Sequence, residues 1–242
     1  MKILSCGAGM QSTSLALISC EQTKGIVRYP QVPRYDAVIY CDLGIEPPWV
    51  IQQVRFIQQA CESCDISFVI LKSNLYRDYM DNFGRRRVAG MPFWTIDPDG
   101  KKGHISRHAC TIDYKILMIQ KYVRYQLLGY RPHQRSRPVD VGAHELHIGF
   151  SNEESHRSFP SHHPFFVNRF PLVEMGWERK DTYQYNREVW GLDTKASACT
   201  ICPFHRNYFF QYLKNNEPTD YKKVVDFDKL LEQMQPLSLI HI

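Results

Sequence analysis

The sequence predicts an α/β protein: a doubly wound, mostly parallel sheet followed by a C-terminal helical extension. Three features of the 242 residues carry that expectation. Short apolar runs alternate with helix-length runs through the first third of the chain. A glycine-bearing turn joins the first apolar run to the first helical one, and another strand-like run returns after a long helical stretch. Strand, helix, strand, helix, strand at this spacing demands crossover connections and hence parallel pairing. With 43% hydrophobic residues, the chain can bury a real core.

In chain order, "KILSC", "YDAVIYCDLG" and "ISFVILKS" read as short buried strands, and "QSTSLALISCEQ" and "PPWVIQQVRFIQQACESC" as the helices between them. Residues 74–109, with "GRRR", "GMPF" and "DPDGKKGH", read as a long irregular segment, the kind that carries function or moves. "TIDYKILMIQKYVRYQLLG" restores helical periodicity and "AHELHIGFS" supplies another strand. The remainder is polar, aromatic and broken by prolines. The ending "QPLSLIHI" reads either as a docking strand or as an irregular tail.

Charge is unevenly spread. Residues 84–137 hold twelve Lys or Arg against three Asp, about +9, so the rest of the chain carries about −4 of the net +5. Such a segment is either a solvated face or a platform for the phosphates of a nucleotide or a nucleic-acid backbone. No run approaches the roughly 18 apolar residues of a membrane span, and "MKILSCGAG" lacks a signal-peptide h-region. The expected location is cytoplasmic, with no membrane partner. Eight cysteines in such a chain suit reduced thiols, with clusters more apt to bind metal or catalyse than to form disulfides.

"LSCGAGMQSTSLAL" places Gly7 and Gly9 between the first strand and first helix, where backbone N–H groups and a helix N-terminus face the strand ends. That is an anion site. The Lys of a Walker loop is absent, and Ser12 replaces the third glycine of a dinucleotide fingerprint. Asp42, closing the second strand, keeps the dinucleotide option open through a ribose contact.

The turn resembles the pyrophosphate-binding loop, S-G-G-x-D-S, of the PP-loop adenine nucleotide alpha-hydrolase superfamily. "YCDLGIEPP", "RHACTIDYKILMIQKYVR", "IGFSNEESHR", "FPLVEMGWERKD" and "KASACTICPFHRNYF" resemble, in order over residues 2–230, the phosphoadenosine phosphosulfate reductase-like proteins of phages and bacteria. The resemblance implies an adenine nucleotide-binding core over 1–150, with the basic insertion at about 74–109, and an extension over 151–242 packed on it. It implies ATP, or a phosphosulfate nucleotide, as ligand. Gly7, Gly9, Gln11, Ser12 and Thr13 would hold the pyrophosphate, and Asp42 the ribose or adenine. Two departures stand out: Gln11 occupies the place of the loop Asp, and no cysteine follows Cys202, where sulfonucleotide reductases keep a catalytic one.

Cys199-x-x-Cys202-Pro-Phe-His205 offers two thiolates and an imidazole to one metal, and a fourth ligand comes from Cys110 or from the Cys61-x-x-Cys64 pair. Thiolate-rich sets suit zinc and iron-sulfur alike. The resemblance pairs Cys110 with the later cysteines and favours a [4Fe-4S] cluster over zinc. Lys115, Glu153, Arg157 and Lys195 recur around these motifs as the candidate catalytic residues for a polyanionic substrate. The expected activity is ATP-dependent sulfur transfer, adenylation followed by thiolation of a nucleic acid or a small molecule. A cysteine desulfurase or persulfide carrier would be the sulfur donor, and residues 84–137 would meet any nucleic acid. The alternatives are a sulfonucleotide reductase-like oxidoreductase, an ATP alpha-hydrolase without sulfur chemistry, and a non-enzymatic nucleotide- or nucleic-acid-binding module.

Overall fold

The computed structural model describes residues 1–82, 85, 91, 94–96, 102–105 and 109–234. Strand β1 (Lys2–Cys6) leads into α1 (Met10–Thr23), then β2 (Ala37–Asp42), α2 (Pro48–Glu62) and β3 (Ser67–Lys72). β6 (His144–Ile148) and β7 (Phe166–Arg169) complete a five-stranded sheet of order β3-β2-β1-β6-β7. β1 pairs parallel with β2 on one side, Ile3 opposite Ala37, and parallel with β6 on the other, Ile3 opposite Leu146. β6 and β7 are parallel as well. The predicted doubly wound, mostly parallel sheet is therefore present, with helices following it at the C-terminal end.

Two compact units share the chain. The first takes residues 1–41, 48–71 and 119–197. Helix α1 lies at its centre, with every residue from Ser12 to Glu21 buried. A helix buried all round needs no apolar stripe, but its polar groups need partners. Ser14 Oγ donates to Asn186 Oδ1 at 2.9 Å, and Ser19 Oγ accepts the Tyr35 N–H at 2.8 Å. Asn186 belongs to α7 (Arg179–Trp190), which opens on a reciprocal Glu178–Asp181 capping box and closes on Gly191 at φ 64°.

The second unit takes residues 42–47, 72–118 and 198–242. Its described part corrects the expectation of irregular chain across 74–109. Helix α3 spans Leu75–Asn82, burying Leu75 and Tyr79 four residues apart on one face. Beyond it β4 (Trp94–Ile96) pairs antiparallel with β5 (Lys102–Ile105). Two polar i, i+4 pairs support α3, Arg77 with Asp81 and Asn82 with Asp78. The run after Cys110 is helical as predicted, but it alternates: α4 (Ala109–Thr111), a π-helical turn (Ile112–Ile116), α5 (Leu117–Tyr122) and a second π-helical turn (Val123–Leu127). Short helix α6 (Pro171–Glu174) precedes α7, while α8 (Asn207–Asn216) and α9 (Pro218–Met234) end the described chain. The ending "QPLSLIHI" and most of "GRRR", "GMPF" and "DPDGKKGH" lie outside the described residues.

Phe227 on α9 is fully buried, its ring 5.4 Å from that of Tyr79. Phe227→Ala is expected to lower unfolding free energy by about 3–5 kcal/mol through lost burial and the cavity left behind. Urea denaturation followed by circular dichroism checks the value.

Candidate functional site

The sheet order sets the site. From β1 the chain winds outward through β2 and β3, then returns to the other side of β1 as β6 and β7. In such a sheet the ligand crevice opens at the carboxyl ends of the two strands flanking that reversal, here β1 and β6. The turn Gly7–Ala8–Gly9 leaves the carboxyl end of β1, and the segment Gly149–Ser151 leaves that of β6. The two approach so closely that a Cβ on Gly149 would lie 2.9 Å from the Ser12 nitrogen and 3.1 Å from its Cα.

Gly9 is the N-cap of α1 and has no side chain to cap it. The first helical N–H to find an intrahelical acceptor is that of Thr13, bonded to the Gly9 carbonyl at 3.0 Å. The N–H groups of the preceding turn have none by helix geometry, and they carry the positive end of the helix dipole. Ala8 sits at φ 54°, in the left-handed region that L-residues other than Asn and Asp rarely occupy. Such strain persists where the surroundings fix it, and Ala8 is fully buried with its carbonyl accepting from Gln53 Nε2.

Ser12 and Thr13 were expected to offer their hydroxyls to the anion. Both residues are buried. Ser12 Oγ accepts the Gly7 N–H at 3.2 Å and donates to the Gly9 carbonyl at 3.4 Å, and Thr13 is fully buried. The two glycines also face the chain itself: a Cβ on Gly9 would stand 2.8 Å from Ser197 Oγ, and one on Gly7 3.5 Å from the same atom.

Gln11, in the place of the loop Asp, reaches across to the β6 side. Its amide donates to Glu154 Oε2 at 2.6 Å and to Ser151 Oγ at 3.3 Å. Arg157 and Arg179 hold the other Glu154 oxygen at 2.5 and 3.2 Å. Glu153 accepts from Ser151 Oγ at 3.0 Å and from the Arg179 N–H at 3.2 Å. The candidates Glu153 and Arg157 thus come together with Gln11 at one strand edge. Glu154 is the carboxylate on which this network converges. Lys195 is fixed through its backbone and keeps its ammonium 5.5 Å from the Trp49 ring centroid. Gln53, Ser197 and Gly149 were not singled out in the sequence; only the glycine directly after the strand in "LHIGF" carried a signal for any of them.

In the second unit, the Asp42 carboxylate accepts the Gly44 N–H at 2.8 Å, an Asx turn that commits one oxygen locally. Cys199 to Cys202 form a turn closed by the Cys202 N–H on the Cys199 carbonyl at 2.9 Å. Their thiols are hydrogen-bonded to each other. That bond, with further help from the Phe204 N–H and the Lys115 ammonium, brings Cys202 down to about 7 against the opposing effect of burial. Cys199, which donates it, is pushed well above the ordinary thiol range by the same bond and by burial. Burial also raises Cys110, whose charge couples to Cys202. Lys115 therefore belongs with the thiols. The His205 Nε2–H donates to the Cys199 carbonyl, 3.0 Å away, and the ring stacks on Phe209 with centroids 3.5 Å apart. Burial lowers its pKa, so the ring is neutral at pH 7.

Among the described residues no group of three or more His, Cys, Asp and Glu is disposed to hold a metal ion. The set Cys110, Cys199, Cys202 and His205 does not fit a [4Fe-4S] cluster or zinc as it stands, because His205 Nε2 is engaged by a backbone carbonyl and the two motif thiols by each other. The rival Cys61 and Cys64 are buried in the core. There Cys61 is hydrogen-bonded to Cys20, whose pKa this bond raises. His144 and His147 are buried in β6, His147 Nε2 being 3.0 Å from Glu145. Of the basic segment, Arg85, Arg131 and Arg135 are exposed, whereas Arg137 pairs with Asp140 at 2.7 Å and Arg124 lies 4.7 Å from the Tyr130 ring centroid. Arg86, Arg87, Lys101 and Arg107 lie outside the described residues. Among the described residues no helix is long and apolar enough to cross a membrane.

Alkylation should report the thiol asymmetry. The thiolate of Cys202 forms above pH about 7, so its labelling by iodoacetamide is expected to rise through that pH and level off. Cys199→Ala removes the strongest cause and should move the rise to higher pH, as read by peptide mass spectrometry over a pH series.

No protein-family model matches the chain, and no curated protein matches it. Among solved structures it is similar to the U34-tRNA thiolase NcsA from Methanococcus maripaludis with its [4Fe-4S] cluster. The match covers 97% of this chain and 72% of that one, at 15% identity and a TM-score of 0.40.

Proposed function

We propose that the protein is an adenine nucleotide-dependent enzyme of the PP-loop type that cleaves ATP between its α- and β-phosphates and transfers sulfur. The carrying observation is the bare glycine turn at the sheet's reversal point, which puts the first N–H groups of α1 at the carboxyl ends of β1 and β6. A helix N-terminus reached through glycines, with no Walker Lys, suits a pyrophosphate held by backbone donors. The order of motifs that resembles the phosphosulfate reductase-like proteins supports adenine as the base.

In this reading an acceptor oxygen attacks the α-phosphorus and pyrophosphate departs, leaving the acceptor adenylated. The outer sulfur of a Cys202 persulfide then attacks the acceptor carbon bearing that oxygen and AMP leaves; the Cys199 thiolate attacks Cys202 Sγ, the S–S bond breaks to release the thiolated acceptor, and an external dithiol reduces the Cys199–Cys202 disulfide so formed. The N–H groups of Met10, Gln11 and Ser12 would carry the growing charge on pyrophosphate, with Arg157 and Lys195 as cationic neighbours. Glu154 would orient Arg157. The Cys199–Cys202 pair, with Lys115, is the part of the chain equipped for sulfur, since Cys202 is the thiol that ionises near neutrality. The sulfur donor is a persulfide carrier, and the acceptor is a nucleic acid if residues 84–137 track a phosphate backbone.

Product analysis tests the activity. Incubation with Mg-ATP should release AMP and pyrophosphate in equal amounts, accelerated by the acceptor. ADP and phosphate as products would overturn the reading.

A further inference from the structure

The segment Thr194–Ser197 is hydrogen-bonded at Thr194 to helix α7 and at Lys195 and Ala196 to helix α2, and its Ser197 lies against the turn that begins α1. Asn186 Nδ2 donates to Thr194 Oγ1 at 3.1 Å and to the Met10 carbonyl at 3.0 Å. Gln53 Oε1 accepts the Lys195 N–H at 2.6 Å, while its Nε2 donates to the Lys195 carbonyl at 3.1 Å and to that of Ala8. Trp49 Nε1 donates to the Ala196 carbonyl at 3.2 Å. The result sets Ser197 against both glycines of the turn, its Oγ 2.8 Å from where a Cβ of Gly9 would be.

Gln53 is 3% exposed, and an amide buried this deeply is retained only with its hydrogen bonds made. Here they join two backbone segments, one of them the left-handed Ala8. Ser12 Oγ is engaged within the loop, and Thr13 is fully buried with no partner at its Oγ1 among the described residues. Ser197 is half-buried and lies on the open face of the glycines.

We propose that Ser197 supplies the side-chain hydroxyl of the anion site and that Gln53 is the positioning residue that holds it there, through the backbone of Lys195 and of Ala8. The inference rests on the anion-site reading above and deepens it. An anion held by the N–H groups of α1 receives a further charge-assisted hydrogen bond from Ser197 Oγ, and the Gln53 amide sets the distance between the two. The substrate class is the pyrophosphate portion of a nucleotide.

Calorimetric titration with Mg-ATP and with inorganic pyrophosphate tests this on four proteins: the full chain, Ser197→Ala, Gln53→Met and the double variant. Ser197→Ala should weaken both ligands about tenfold, the size of one hydrogen bond to a charged group. Gln53→Met should weaken them at least as much and shift the indole N–H resonance of Trp49. In the Gln53→Met background Ser197→Ala should have almost no further effect, a coupling that a merely structural glutamine would not produce. Should Gln53→Met fail to fold, Gln53→Glu, which keeps the acceptor for the Lys195 N–H, takes its place in the cycle. Unchanged affinity in Ser197→Ala, or equal losses in both backgrounds, would overturn the inference while the anion site stands. Failure of the unaltered chain to bind either ligand would instead remove the reading beneath it.

Discussion

Gly149→Val is expected to abolish nucleotide binding, a loss of at least about a hundredfold. The cause is backbone against backbone: a Cβ at 149 would stand 2.9 Å from the Ser12 nitrogen and 3.2 Å from the Gln11 carbonyl carbon. Neither atom belongs to a flexible side chain, so the start of α1 must shift. Overpacking of this kind costs about 1–3 kcal/mol of stability, which a domain of this size survives. The N–H groups proposed to hold the anion ride on the displaced turn. Losing alignment of even two charge-assisted hydrogen bonds, each worth about 1.5–3 kcal/mol, accounts for the hundredfold. Calorimetry on protein that still melts cooperatively separates the two effects. Wild-type affinity in a folded Gly149→Val protein would mean that the nucleotide is held elsewhere.

Cys202→Ala is expected to eliminate the proposed sulfur loading and transfer. Cys202 is the thiol that ionises near neutral pH, with Cys199 as the donor that stabilises its thiolate. A thiolate attacks a persulfide's outer sulfur; the outer sulfur moves to Cys202 and the donor leaves as a thiolate, so that no external oxidant is required. Cys199→Ala keeps the nucleophile but loses its strongest stabilising bond. It should still load sulfur, at a rate reduced at neutral pH and restored as pH rises. Intact-protein mass spectrometry after incubation with a persulfide donor reads both results. Normal loading of Cys202→Ala would move the sulfur chemistry to another cysteine, with Cys110 the next to examine.

Strands β1, β2, β3 and β6, with α1 and α2, were legible because buried parallel strands are short apolar runs bounded by turns, and "KILSC" and "YDAVIYCDLG" are little else. Helix α3 was missed: its polar sequence, "LYRDYMDN", hides the one pair that matters, Leu75 and Tyr79. The glycine turn announced itself through Gly7 and Gly9, but the sequence could not tell which atoms would meet their bare faces. Ser197 and Gln53 are distant in the chain and ordinary in type, and only the fold brings them to the turn. The surroundings of the Ser12 and Thr13 hydroxyls were hidden in the sequence for a related reason. Side chains at the third and fourth residues after an N-cap can point at a ligand or be taken up by the loop, and Ser12 Oγ bonds the Gly7 N–H and the Gly9 carbonyl. The cysteine motif was visible, while the engagement of His205 by the Cys199 carbonyl was not.

The central claim is that the turn after β1 holds the pyrophosphate of an adenine nucleotide, and residue-resolved amide shifts test it most directly. Isotopically labelled protein would be titrated with Mg-ATP and, separately, with inorganic pyrophosphate. The account predicts that the amide resonances of Met10, Gln11 and Ser12 move with both ligands, saturating together, with those of Gly149 and Ser197 following. Shifts with ATP that leave residues 7–13 untouched, or no response to either ligand, would contradict it.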